Sequence, residues 1–88
     1  MRLIACEYDD YSASGGLDDA VTDSRGHIAV FDDEEQCLSF IHSNRKTPYD
    51  SLDLWDVDSL VLIASYRSER KYGDDHKLKS FRYVKQPV

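Results

Sequence analysis

Apolar residues recur along this chain with two periods. From residue 2 to residue 8, RLIACEY sets Ile4, Cys6 and Tyr8 in alternation with Leu3, Ala5 and Glu7. That is the period of a strand, and apolar residues on both phases predict a central one, mostly covered. Asp9 to Gly16 reads as a loop, because Ser-Ala-Ser-Gly-Gly supplies small residues and positive φ, which strands avoid. Leu17 to Val21 reads as one helical turn, with Asp18 and Asp19 near its start, where the helix dipole favours acids. Ser24-Arg25-Gly26 is a turn, and residues 27–31, HIAVF, read as a second strand.

The period then lengthens. Cys37, Leu38, Phe40 and Ile41 fall on one side at helical spacing. Asp32 followed three residues later by Glu35 is a capping-box pattern, and Glu34 adds charge to the first turn. Arg45 and Lys46 suit the last turn, and Thr47-Pro48 stops the helix because the residue before proline avoids the α region. The spacing predicts a helix over 33–45 whose apolar stripe needs a sheet to lie on.

Alternation returns in 51–56, where Leu52 and Leu54 alternate with Asp53 and Trp55. Asp56-Val57-Asp58-Ser59 is a tight connection to a β-rich run over 60–66, so the two read as a hairpin. A polar stretch from Arg67 to His76 holds a turn at Gly73-Asp74-Asp75, and 78–84 reads as a last, edge-like strand whose lysines discourage pairing with another chain. The order β-β-α-β-β-β predicts an α+β domain, an antiparallel sheet with one helix packed on one face. At 88 residues the chain has room for a single domain. Hydrophobic content of 41% is enough for one core and too much for a disordered chain. No apolar run is long enough to span a bilayer, and two cysteines beside apolar residues read as buried thiols, with a Cys6–Cys37 bridge left open. The expectation is a soluble protein of the cytoplasm.

Charge changes the picture more. Net charge is −6, but residues 67–88 hold seven basic against three acidic side chains, a surplus of +4, and residues 1–66 hold four against fourteen, a deficit of −10. An acidic body repels nucleic acid and attracts basic protein surfaces. The basic tail either folds back on the body or touches phosphate. Its strand-like residues favour the first, so direct nucleic-acid binding is not expected.

The segments "RLIACEYDDYSASGGLDD", "VFDDEEQCLSFI" and "DLWDVDSLVLIA" resemble small acidic proteins of bacteriophages. The matching residues are Glu7 to Tyr11, Gly15, Gly16, Asp19, Phe31 to Ile41 and Leu54 to Leu62. The likeness departs in Val21 to Ala29 and in the basic tail. It implies a phage origin and, by analogy with anti-CRISPR proteins, inhibition of a host defence or nucleic-acid enzyme.

Candidate chemistry is sparse. An EF-hand loop started at Asp9 or Asp10 has Tyr, Ser and Ala where ligands belong. A looser Ca²⁺ or Mg²⁺ site from Glu7, Asp9, Asp10 and Asp19 is the remaining metal alternative, and Cys6, Cys37 and His42 lack zinc spacing. Ser39 and His42 share a helix side, but so small a domain has little room for a substrate pocket. No phosphate loop follows Gly15-Gly16. The expected function is therefore a non-catalytic inhibitor without cofactor that blocks a basic host-protein surface, a CRISPR effector or another DNA- or RNA-processing enzyme. Its expected contact residues are Asp9, Asp10, Tyr11, Asp18, Asp19, Asp32, Asp33, Glu34, Glu35 and Trp55. A metal-binding or small enzymatic phage protein and a virion assembly component are the alternatives.

Overall fold

The computed structural model describes residues 1–11 and 19–87. Four strands and one helix follow in the order β1 (Leu3–Tyr8), α1 (Glu34–Asn44), β2 (Ser51–Asp56), β3 (Leu62–Tyr72) and β4 (Leu78–Lys85). The strands form one antiparallel sheet in the spatial order β1-β2-β3-β4. The chain is an α+β protein with a helix inserted between the first two strands.

The element order departs from the expected one at residues 27–31. HIAVF makes no strand of the sheet. Phe31 bridges Leu3 with reciprocal hydrogen bonds of 2.7 and 2.8 Å, while Ile28 bridges Thr22. The Val21 amide donates to Ala5 O, and the Ala29 amide donates to Val21 O. Two short runs thus share the free edge of β1, and neither pairs long enough to be a strand. The turn joining them holds Gly26 at φ +82, a conformation glycine adopts without strain, and the Asp23 carboxylate accepts the Arg25 and His27 amides. The expected helical turn at 17–21 lies partly outside the described residues; Ala20 and Val21 belong to this edge pairing instead.

Side-chain alternation separates two faces. Leu3, Ala5, Leu52, Leu54, Ala64 and Tyr66 meet Cys37 and Ile41 of α1, with Val21, Ala29 and Phe31 closing the β1 side. Phe40 packs on Phe31 at 5.3 Å between ring centres. Full burial of an aliphatic side chain such as Ile41 stabilises by about 1.5–3 kcal/mol, so this layer is the main reason the helix forms. The helix starts one residue later than the capping pattern suggests. Asp33 is the N-cap and accepts the Gln36 amide at 2.7 Å, while the Gln36 side chain accepts the Asp32 amide at 2.7 Å. Gln36, not Glu35, is the residue three after the true cap, and its return bond goes to the amide of Asp32, one residue before the cap.

β3 begins at Leu62 rather than residue 60 and runs six residues past Tyr66. Arg67 still pairs with Ser51 and the Ser68 amide still reaches Asp50 O, so the residues from Glu69 to Tyr72 face β4 alone in a two-stranded ribbon. Their polarity hid them: a ribbon with both faces wet has no apolar phase.

Candidate functional site

The register of β1 divides the acidic candidates between two ends of the sheet. Tyr8 pairs with Ser51, so Asp9, Asp10 and Asp50 emerge together at one end. Leu3 pairs with Asp56 on one side and bridges Phe31 on the other, so Asp32 and the β2–β3 turn emerge at the opposite end. The expected contact residues therefore do not form one face. Asp18 lies outside the described residues.

The first end is largely neutralised. Arg67 grips both carboxylate oxygens of Asp10 at 2.8 and 2.9 Å and also donates to Ser51 Oγ. Arg70 donates to Asp50 Oδ1 at 3.1 Å and to Pro48 O. Asp9 accepts the Asp50 amide, and Asp50 accepts the Asp10 amide. Asp9, Asp10, Asp50 and Arg70 line a shallow cleft of about 640 Å³ with Tyr11, Thr47 and Pro48. Tyr11 is almost fully exposed. The Arg67 pair holds the Asp10 carboxyl below the usual range. Two bases of the C-terminal segment thus fold back on the body's acids, as the strand-like tail led one to expect. Among the described residues, no three His, Cys, Asp or Glu side chains converge as metal ligands.

The opposite end keeps its charge. Asp33 caps the helix, and Asp32 and Glu35 are exposed. Glu34 is drawn inward: it accepts from Tyr66 Oη at 2.8 Å and from Lys85 Nζ at 3.0 Å. Asp56 accepts the Asp58 amide and the Ser59 hydroxyl, and Asp58 pairs with Arg2. Two bases, Lys85 and Arg2, pair Glu34 and Asp58, and among the described residues Asp32, Asp33, Glu35 and Asp56 make no ion pair.

Apolar side chains stand among these acids. Leu60, Val61 and Leu62 are 68%, 54% and 44% exposed, an uninterrupted aliphatic run at a turn. Leu60 adopts φ +59, a left-handed conformation that costs a branched side chain roughly 1–2 kcal/mol. It is held there by the Leu60 amide donating to Asp56 O at 2.8 Å, and the Asp56 amide donates to Val61 O at 2.9 Å. Trp55, half-buried, pairs with Ile4 and Leu62 on the sheet face away from α1. Sequence reasoning took Leu60 to Leu62 as strand interior. The turn carries Leu60 and Val61 past the part of the sheet where β1 and β2 bury consecutive residues on both faces.

Neither thiol is bridged; Cys6 and Cys37 are free and buried. Burial pushes the Cys37 thiol up to about 12. His42 stacks on Phe81 at 4.9 Å, and Ser39 shares its groove against β4. No helix among the described residues is long and apolar enough to cross a membrane.

Compared with known protein families, with curated proteins and with solved structures, the chain matches none.

Proposed function

We propose that this chain is a non-catalytic, phage-type binding protein that blocks a cationic surface of a host protein, one that ordinarily holds DNA or RNA. The observation that carries the reading is the joining of unneutralised acids with exposed aliphatic side chains at one end of a rigid sheet. A merely solvated face has no use for a strained, exposed Leu60. An interface does: apolar anchors at its centre bind, and charges at its rim steer and select. Asp32, Asp33 and Glu35 with Trp55 are the members of the expected contact set that serve this surface. Asp9 and Asp10 serve the fold instead, through Asp50 and Arg67.

Affinity capture from a bacterial lysate, with added duplex DNA as competitor, tests it. The expected result is a basic nucleic-acid-binding protein, displaced by the DNA and lost with Leu60→Asp or with Asp32→Lys and Glu35→Lys together. Asp10→Asn should keep it. Capture that ignores both the DNA and these variants would end the reading.

A further inference from the structure

β4 is the last strand of the sheet, and among the described residues nothing pairs with its outer side. The Gln86 amide donates to Ser65 O at 2.8 Å. By antiparallel alternation, the amides of Lys85, Tyr83 and Phe81 therefore point away from β3, into the open. Beside this edge runs a groove of about 390 Å³, walled by Leu38, Ser39, His42 and Ser43 of α1 and by Arg82 and Tyr83 of β4. Phe81 packs beside it, tilted by 47° against the His42 ring and edge-on to Tyr83 at 6.0 Å. The Tyr83 ring is anchored, because its hydroxyl accepts from the Tyr49 amide at 3.1 Å.

We infer that this groove and strand edge take an extended acidic peptide of a partner protein, added to the sheet as a fifth strand. The outward amides and carbonyls of β4 supply its main-chain hydrogen bonds. Its alternate side chains, apolar, enter the groove over Leu38, Phe81 and Tyr83; strand addition gains affinity from the backbone and selectivity from such pockets. The intervening side chains are acidic. Lys79 makes no ion pair among the described residues, and Arg82 and Lys85, both largely exposed, pair only with surface carboxylates, Glu69 and Glu34. Strand alternation puts Lys85 on the helix side with Phe81 and Tyr83 and turns Arg82 to the opposite face, so Arg82 is the cation that meets the intervening acidic side chains. Cations of this kind deter uncharged or basic strands, so they select for an acidic one.

The test is amide-resolved NMR titration of the full chain with an acetylated, amidated heptapeptide alternating Glu and Val, and with its Lys and Val counterpart. The Glu peptide should give saturable shifts at Phe81, Tyr83, Lys85 and His42. The Lys peptide should bind about tenfold more weakly, as should the Glu peptide to Arg82→Glu. Ser39→Trp fills the groove from an exposed position and should also weaken binding, with no change of charge. Shifts confined to the acidic end, equal affinity for the two peptides, or no binding at millimolar peptide would each overturn the inference. None of these outcomes bears on capture through Leu60.

Discussion

Arg45, the residue that ends α1, places its Nη2 2.7 Å and its Nε 3.1 Å from Oε1 of Glu7, a buried carboxylate near the end of β1 on the helix-facing side. This pair locks the helix C-terminus to β1 across 38 residues of chain. Its removal from one side is costly, since a buried charge loses its partner. Arg45→Ala should destabilise by about 3 kcal/mol, and a second change, Glu7→Gln, should recover part of that. Urea unfolding of the wild type, both single variants and the double variant gives the coupling.

The position of the helix cap is equally open to measurement. Asp33→Ala should cost about 1 kcal/mol, since it leaves the Gln36 amide without its acceptor. Asp32→Ala should be close to neutral in the same urea experiment, because the contact made by Asp32 uses its main chain.

Acid should weaken the fold through Glu34. Lys85 and Tyr66 hold its carboxyl below the ordinary value of 4.5. A carboxylate depressed in the folded state contributes stability that is complete above the unfolded value and is lost as pH falls through the folded one. Stability should therefore drop below pH 4.5, and Glu34→Gln should flatten that drop. Asp10, Asp23 and Asp58 are shifted in the same direction, so part of the slope should remain in the variant.

Leu60→Gly should separate stability from binding. Glycine accepts the left-handed conformation, so the variant should gain about 1 kcal/mol, while losing the exposed anchor and with it partner capture. A thermal melt reads the first effect and the capture assay reads the second.

The cysteines should be inert while the protein is folded. With the Cys37 thiol pushed up to about 12 and Cys6 also raised by burial, almost no thiolate exists at pH 8. Labelling by a thiol reagent should proceed at the rate of unfolding and accelerate in urea. Fast labelling of the native chain would contradict the burial of both.

Local signals were enough to read most of the architecture. The helical stripe of Cys37, Leu38, Phe40 and Ile41, the stop at Pro48, and the alternating Leu52 and Leu54 act within a few residues, where periodicity decides which face is buried. HIAVF misled because β propensity describes the side chains of a segment and not the partner that must pair with it; Phe31 found only Leu3. The candidate surface was legible only as composition. The acids could be counted, but which were neutralised depended on Arg67 reaching Asp10 and Lys85 reaching Glu34, across 57 and 51 residues.

By itself, then, the order of residues determined an α+β sheet under one capped helix, an acidic body and a basic C-terminal segment, because these follow from short-range periodicity and summed charge. Only the tertiary structure decided that Asp9 and Asp10 brace the fold while Asp32 and Glu35 stay exposed at the sheet end that carries the β2–β3 turn, and that β4 is left with a free edge. Ion pairing and edge exposure are properties of strand order and register, and those are set by contacts between residues far apart along the chain.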